Sequence, residues 1–494
     1  MSVLISMQSV ILTAAILLLI ASWRLYEKRR SFRNITSKLP TQYGLPFIGV
    51  TYKFFNLSKV YSTVSRGFDE IKSLTGCVWV ATTPIIITVE PEVIEHVTSS
   101  SEFLNKARDL YAHFNNGVIN GIIVNPVKKW KPGRKAISPF LSHNNLMSFF
   151  PLFNDNAKNV KQKLIAMAGR GEQDVYGVIK AYGLQLSILT IMGTKIDEGS
   201  ENYKEVMNAF NILVHRTAQN SVYSSVGLGF LTLTPEYKKT LKYLRELVCD
   251  LIKKNPSLKA ESDEYEDGKQ ALVNLAVKAM KQGLFTASDV EIESFTMIAA
   301  SYETSAIVVY SALVLLAMHP EIQERAFEEV RSVFPHGITS VEYDDLKKFP
   351  YLDMVIAEAL RVAPPIPYIG RQAINETELR PGITIPKEMQ VIIPIFELHR
   401  RKELWGPEAA RFNPENFLPE NIAKRHPCAY MAFSKGPRNC IGVRYAEFTV
   451  HVLLITLLRS LKFSTTFKYD DIVFMPNVTL SYKVEPLLSI EVRA

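Results

Sequence analysis

A segment of about 30 residues near the middle of the chain, 288–319, contains no glycine or proline and is apolar on almost every face. Ser288 and Glu291 have the spacing of a capping box at its start, and a histidine-proline pair ends it. The pattern predicts a helix roughly 45 Å long. Because such a helix has no polar face, we expect it to run through the core. A second membrane span is the alternative, but Glu303 interrupts the segment and no basic flank marks its ends.

The remaining sequence predicts a mainly α-helical fold with small β-sheets. Most of it has the helical period, and two short runs, near 78–89 and 390–396, are rich in β-branched residues. With 494 residues, 47% of them hydrophobic, the chain can bury a large core and is not disordered. Only four cysteines are present, so we expect a reducing compartment without a disulfide framework. The net charge of +8 favours an anionic membrane surface or an acidic protein, and we expect no nucleic-acid partner.

Residues 1–23 carry no charged side chain and predict a transmembrane anchor. Basic residues follow immediately: Arg24, Lys28, Arg29, Arg30 and Arg33. By the positive-inside rule they place the rest of the chain on the cytoplasmic side. A cleaved signal peptide is the alternative, but the charged n-region and a clean cleavage site are missing. Residues 24–49 are interpreted as a basic stop-transfer segment and Pro/Gly linker, and residues 50–494 as the globular domain.

The loop FSKGPRNCIG, residues 433–442, carries the strongest chemical signal in the sequence. Glycines permit a tight turn and a close approach to the backbone, and a helix is predicted directly after Cys440. Amides at the start of that helix would stabilise a thiolate. One thiolate on such a turn suits the iron of a porphyrin, which needs a single axial ligand. The alternative, a buried structural cysteine, is our interpretation of Cys77, Cys249 and Cys428.

This loop resembles the haem-binding loop of the cytochrome P-450 superfamily, and the anchor, the linker and later motifs resemble membrane-bound insect members of its family 4 clan. The resemblance extends over essentially the whole chain and implies a cytochrome P-450 fold, with residues 50–494 as a haem-thiolate catalytic domain. It implies haem b with Cys440 as the axial thiolate ligand of the iron. Around the haem, Arg438 would reach a propionate, Phe433 would shield the sulfur, and Gly442 would let the porphyrin approach.

Glu303 and Thr304 match the oxygen-activating acid-alcohol pair of this superfamily, in which they would relay protons to dioxygen. A structural role is the alternative, with Thr304 bonded back to the carbonyl four residues earlier and Glu303 satisfied by a polar neighbour. Ser301 stands where the superfamily usually has glycine, at a local distortion of the helix. Ala300 stands where many family 4 enzymes have a glutamate esterified to the haem, so we expect no covalent ester link.

Glu358 and Arg361 match the Glu-x-x-Arg pair that supports the haem loop. Their spacing puts both side chains on one face of a helix, although most such pairs are solvated surface ion pairs. The superfamily's third partner is an arginine, and Asn416 replaces it here, so we expect a weaker network.

Trp130, Arg134 and Arg371 match residues that contact the haem propionates. The planar guanidinium of arginine is well suited to grip a carboxylate. Pro132 and Gly133 are awkward for a regular helix between Trp130 and Arg134, and a surface turn is the alternative. Lysines nearby are usually a solvated charge run. In this superfamily the regions around the Trp130 helix and the cysteine loop form a basic face that binds a flavoprotein reductase. The basic residues of this chain in those regions are Lys128, Lys129, Lys131, Lys135, Lys435 and Arg444.

The resemblance implies a monooxygenase of the endoplasmic reticulum membrane that acts on a lipophilic small molecule, with electrons from an NADPH-dependent flavoprotein reductase and cytochrome b5 as an optional second donor. The pocket would be lined by residues placed by analogy: Ala299, Ala300, Ile366, Ile369 and Val478. A haem-thiolate isomerase or dehydratase is one alternative. A non-catalytic haem protein that binds a lipid is another, which the departures at Ser301 and Asn416 keep open.

Overall fold

The computed structural model describes residues 2–114, 120–196, 201–225, 229–255 and 271–493. The longer helices are α1 Ser2–Ser31, α2 Val60–Ile71, α3 Pro91–Ser99, α4 Val127–Ile137, α5 Phe150–Met167, α6 Val175–Met192, α7 Glu201–Ser225, α8 Pro235–Lys254, α9 Leu272–Lys281, α10 Ala287–Met318, α11 Pro320–Val333, α12 Pro350–Val362 and α13 Val443–Ser460. Shorter helices cover Arg33–Thr36, Arg108–Tyr111, Gly121–Val124, His143–Ser148, Ile395–Leu398, Lys402–Trp405 and Pro419–Ala423.

Small sheets occupy the edges of this helical body, as the sequence predicts. The strands are β1 Thr41–Gln42, β2 Thr75–Val80, β3 Thr83–Thr88, β4 Glu172–Gln173, β5 Ile369–Gln372, β6 Thr377–Arg380, β7 Ile383–Ile385, β8 Gln390–Ile393, β9 Leu461–Ser464, β10 Phe474–Pro476, β11 Leu480–Tyr482 and β12 Leu488–Val492. The largest sheet has the order β1-β2-β3-β8-β5, and the others are β4-β12-β9, β10-β11 and β6-β7. The two predicted runs are confirmed in part, because one is a hairpin, β2-β3, and the other bends into a helix after β8.

The core helix α10 lies where the sequence predicts it, but different residues form its N-terminal cap. Thr286 is the N-cap and forms a capping box with Asp289, whose side chain accepts a hydrogen bond from the Thr286 amide at 2.9 Å. The expected box of Ser288 and Glu291 is therefore wrong. Asp289 also forms an ion pair with Lys129 on α4, which holds its carboxylate at the start of the helix. Most residues of α10 are buried by protein, which confirms a core helix and not a membrane span.

Helix α6 crosses α10 at very close range. A Cβ atom at Gly183 would lie 2.6 Å from the carbonyl oxygen of Tyr302, so only glycine fits there. One turn further along α6, Ser187 accepts a hydrogen bond of 2.7 Å from the Ser301 hydroxyl. These contacts fix the position of α10 relative to α6 within the core.

The N-terminal helix α1 extends without a break through residue 31. Its span Ser9–Ser31 is long and apolar enough to cross a membrane, and only 6% of that stretch is buried by protein. Near its end, Leu25 is buried and the Arg29 guanidinium lies over the rings of Tyr43 and Trp79, at 5.3 and 5.4 Å. The last turns of the candidate anchor are thus packed on the globular domain.

Candidate active site

An interior cavity of about 1080 Å³ lies between α10 and the loop that carries Cys440. Its walls are mainly apolar and include every residue that the sequence places there by analogy: Ala299, Ala300, Ile366, Ile369 and Val478. Ser301 is not among the described lining residues, because its hydroxyl points to Ser187 on α6. The serine that replaces the usual glycine therefore lies in the contact between two helices and leaves the cavity open.

The cysteine loop is held by tight local geometry. Gly436 has φ +72°, and a Cβ atom there would lie 1.9 Å from the Thr98 carbonyl oxygen, so the turn requires glycine. The Cys440 amide donates a hydrogen bond of 2.9 Å to the Phe433 carbonyl oxygen, and Phe433 lines the cavity beside the sulfur. Gly442 is the N-cap of α13, as the predicted helix start requires.

Cys440 exposes its surface to this cavity. Enclosure by protein raises the pKa of its thiol, while the Gly442 amide and the charges of Arg134 and Lys106 act in the opposite direction. A bound metal ion would favour the thiolate here, since coordination deprotonates a thiol. In the described part of the chain no group of three or more metal-ligating side chains occurs, so a metal ion here would need its other ligands from a cofactor.

Positive charge concentrates around the same end of the cavity. The cationic cluster consists of Lys106, Arg134, Arg371 and Arg438. Burial and the neighbouring Arg371 lower the pKa of Arg438 to about 9, and burial with nearby guanidinium groups lowers the pKa of Lys106 well below its usual range. None of the four forms an ion pair with a carboxylate of the described residues. Arg371 and Arg438 are buried and Lys106 and Arg134 are half-buried, so an anionic ligand would offset their mutual repulsion.

Backbone oxygens hold the arginines of the cluster in position. Arg134 donates to the backbone and side-chain oxygens of Asn439, both at 2.8 Å, and Arg438 donates to the Leu104 carbonyl oxygen at 2.8 Å. Arg371 on β5 donates to the Ser434 hydroxyl at 3.3 Å. The structure thus brings all three arginines predicted from the sequence to the cysteine loop.

Trp130 lies on α4, which is a regular helix through Pro132 despite the missing amide hydrogen. The alternative of a surface turn is wrong. The Trp130 ring is buried, and the Arg438 guanidinium lies over it at 4.4 Å. This contact orients the arginine by a cation–π interaction.

Lys106 is the residue of this site that the sequence does not reveal. It stands in no motif or periodic pattern, and it reaches the cluster only because its neighbour Asn105 pairs with Gln372 at the end of β5, beside Arg371. A pairing between residues so far apart in the chain leaves no local signal.

Glu303 and Thr304 both line the cavity. Thr304 donates a hydrogen bond of 2.7 Å to the Ala300 carbonyl oxygen, which is the contact that the structural alternative predicts. Burial raises the pKa of Glu303, whose carboxylate lies 4.0 Å from the Lys180 ammonium group. The acid is enclosed and can retain a proton, while the threonine oxygen keeps lone pairs to accept one hydrogen bond from the cavity.

Glu358 and Arg361 form a bidentate ion pair, with both bonds at 2.6 Å and both side chains fully buried. The Asn416 amide donates to Glu358 at 3.1 Å, so asparagine keeps the third contact of the network without its positive charge. Arg361 also donates to backbone oxygens of residues 399, 409 and 411, which lie on the approach to the cysteine loop. The network ties α12 to the part of the chain that precedes the cysteine loop, and its three side chains are not among the described residues that line the cavity.

The donor set fits a haem. One thiol at a helix start provides an axial ligand, the cationic cluster provides partners for two propionates, and the mainly apolar cavity accommodates the ring. A mostly helical fold with this site defines a haem-thiolate protein.

Comparison with known proteins gives the same class. The family model described as Cytochrome P450 matches residues 40–484. The chain is 32% identical to "Probable cytochrome P450 313a4" of Drosophila melanogaster over 94% of this chain and 96% of the relative, and 34% identical to "Probable cytochrome P450 313a1" of the same organism over 95% and 96%. It is 29% identical to "Cytochrome P450 4c21" of Blattella germanica over 98% and 99%. The chain belongs to the cytochrome P450 family and is a haem-thiolate monooxygenase.

Proposed function

We propose that this monooxygenase inserts one oxygen atom from dioxygen into a lipophilic small molecule, with electrons from an NADPH-dependent flavoprotein reductase. The observation that carries the proposal is the cationic cluster without carboxylate partners beside a cysteine thiol and an apolar cavity. When bound, haem supplies the iron that activates dioxygen. The apolar walls favour lipophilic substrates, because burying apolar surface provides most of the binding free energy.

Cys440 is the proposed axial ligand. Lys106, Arg134, Arg371 and Arg438 are the proposed partners of the propionates, and Trp130 orients Arg438. We expect haem b without an ester bond, because Ala300 offers no carboxylate at the cavity wall.

Proton delivery is assigned to Glu303 and Thr304. Burial raises the pKa of Glu303, which favours the protonated form of its carboxyl group, and Thr304 can hold a water molecule through its hydroxyl oxygen. The carboxylate of Glu303 is positioned by the Lys180 ammonium group on α6.

The exposed lysines of α4 are the proposed contact for the acidic reductase, and cytochrome b5 would compete for the same face. Lys128, Lys131 and Lys135 are exposed and form none of the ion pairs among the described residues. Charge of one sign on an open surface speeds association with an oppositely charged protein.

We propose that α1 anchors the protein in the endoplasmic reticulum membrane, with residues 24–49 as its basic stop-transfer segment and linker and residues 50–494 in the cytoplasm. The exposed Asn375 stands in an Asn-Glu-Thr sequon, so it reports the orientation. Expression in microsomes should leave Asn375 unmodified. A mobility shift that endoglycosidase reverses, and that Asn375→Gln abolishes, would contradict the orientation.

Two measurements test the proposed activity. The reduced protein with carbon monoxide should show the absorption band of thiolate-ligated haem, and Cys440→Ser should abolish it while Cys428→Ser retains it. Product formation from a panel of terpenoids, sterols and fatty acids should require NADPH and reductase. Turnover without NADPH would indicate an isomerase or dehydratase, and ligand binding without any turnover would indicate a non-catalytic haem protein.

A further inference from the structure

A short segment, residues 121–125, lies between α10 and the cysteine loop and contributes Ile122 and Ile123 to the cavity wall. Its contact with α10 is made through Glu293, which is buried and is part of no motif in the sequence. The Glu293 carboxylate accepts hydrogen bonds from the Ile122 amide at 2.8 Å and from the Asn125 side-chain amide at 3.3 Å. The acid therefore holds both ends of the segment.

The opposite side of the same segment is held by Arg438. Its guanidinium donates to the carbonyl oxygens of Ile122 and Asn125. A buried carboxyl group thus accepts from the N–H group of Ile122, while a buried guanidinium donates to its C=O group on the opposite side of the same peptide segment. The positive charge of the guanidinium makes its hydrogen bonds stronger than neutral ones.

Gly121 allows the carboxylate to come this close. A Cβ atom there would lie 2.3 Å from an oxygen of Glu293, and the three atoms nearest to it all belong to that carboxyl group. The Gly121 amide also donates to the Thr296 hydroxyl on α10 at 3.3 Å. Glycine at 121 and glutamate at 293 are therefore matched in shape.

A carboxyl group buried without a contacting cation is costly, so its position requires a compensating role. Lys129, the nearby cation, forms its ion pair with Asp289. We propose that Glu293 is a positioning residue that fixes the Ile122–Ile123 wall and thereby determines which ligand shapes fit beside the haem. This inference rests on the proposed function, since the ligands in question bind at the haem.

The first test measures the wall directly, by amide hydrogen exchange of the full-length protein in detergent micelles. In Glu293→Ala, peptides that cover residues 120–126 should exchange about tenfold faster, as expected when a buried hydrogen bond is lost. Glu293→Gln should stay near wild type, because its amide can accept from Ile122 and donate to a reoriented Asn125 side chain. Glu291→Ala is the matched control and should leave this segment unchanged, because the half-buried Glu291 carboxylate pairs with Arg245 on α8.

The second test measures the shape of the pocket with imidazole and 4-phenylimidazole, which bind haem iron through nitrogen. In Glu293→Ala the preference for 4-phenylimidazole over imidazole should fall about threefold or more, since a loose wall gives the phenyl ring less fixed contact. Affinity for imidazole alone, which is too small to need the wall, should stay within about twofold.

Gly121→Ala tests the same contact without removing the charge, because the added methyl group must displace the Glu293 carboxylate. It should reproduce both effects, and the double variant with Glu293→Ala should be no worse than either single one. If Glu293→Ala fails to fold, Gly121→Ala alone still tests the positioning role of Glu293. Unchanged exchange and unchanged preference in either variant, with the carbon monoxide band intact, would overturn the positioning role and leave the proposed function standing. Absence of the carbon monoxide band from the wild-type protein would refute the proposed function. The exchange data would still test the contact between Glu293 and residues 121–125.

Discussion

Residues from distant parts of the chain meet around the cavity that Cys440 lines. Cys440, Arg438, Trp130 and Arg134 belong to short spaced motifs, and the structure brings them together at one cavity. Their partners Lys106 and Glu293 stand in no such motif. They join the site through contacts with distant parts of the chain, with residues 371 and 438 in one case and 121–125 in the other.

The cationic cluster makes opposite predictions for the empty and the loaded protein. Lys106→Met removes one of four repelling charges, so the melting temperature of the haem-free protein should rise by a few degrees. The loaded protein should release haem to apomyoglobin about fivefold faster or more, because a propionate loses its partner. Lys131→Met, on the exposed face of α4, serves as the control for both measurements. A lower melting temperature of haem-free Lys106→Met would contradict the role of the cluster.

Glu293 should make stability depend on pH in an unusual direction. Burial, reinforced by Asp289 and opposed by the Ile122 amide and Lys129, raises its pKa to about 7. Between the ordinary carboxyl pKa of about 4.5 and 7 the folded state binds more protons than the unfolded state, so stability falls as the pH rises through this range. The loss should approach about 3 kcal/mol for a full shift of this size.

Thermal unfolding from pH 5 to 7.5 checks this dependence. The free energy of unfolding of Glu293→Gln should vary less with pH than that of the wild type, since an amide does not titrate. An equal dependence in both proteins would show that other groups cause it.

At the scale of single elements, α10 is predictable in place and length because its uniform apolar pattern extends over many residues. Its cap is less predictable, since Thr286–Asp289 and Ser288–Glu291 both have suitable spacing and only the contact with α4 selects the first. The β2-β3 hairpin is hidden for a related reason. Ala81 adopts a positive φ of 50° in its turn, where the sequence offers no glycine or asparagine as a signal.

The crossing of α6 and α10 gives a test at this scale. In Gly183→Ala the new methyl group would meet the Tyr302 carbonyl oxygen, so the helices must separate at a cost of about 1–3 kcal/mol. The free energy of unfolding in denaturant measures this loss. Gly67→Ala on α2 is the matched control, because a Cβ atom there has 4.0 Å of space, and it should stabilise the helix by about 0.5–1 kcal/mol. Equal effects of the two substitutions would contradict the tight crossing.

At the scale of the whole molecule, the anchor and the globular domain are connected by one helix. The apolar composition that makes this helix a candidate membrane span is evident in the sequence. Its packing on the globular domain is not, because Leu25 and Arg29 appear in the sequence only as members of a basic stretch, and the partners of Arg29, Tyr43 and Trp79, lie further along the chain.

Two truncations separate anchoring from docking. Removal of residues 2–23 should release the protein from membranes into the soluble fraction after high-salt washing, with the carbon monoxide band and the melting temperature retained. Removal of residues 2–31 should release it equally, but lower the melting temperature, because the buried Leu25 and the stacked Arg29 are lost as well. Equal melting temperatures of the two truncated proteins would contradict the docking.

If α1 spans the bilayer as proposed, its unbroken course links the bilayer to the globular domain mechanically. A spanning helix responds to a thinner or thicker hydrocarbon layer by changing its tilt. Because the last turns of α1 are packed on Tyr43 and Trp79, a change of tilt must turn the whole globular body with it. Lipid composition would then set the orientation of the globular domain relative to the membrane surface. That orientation would decide which face of the domain is open to substrates and electron donors.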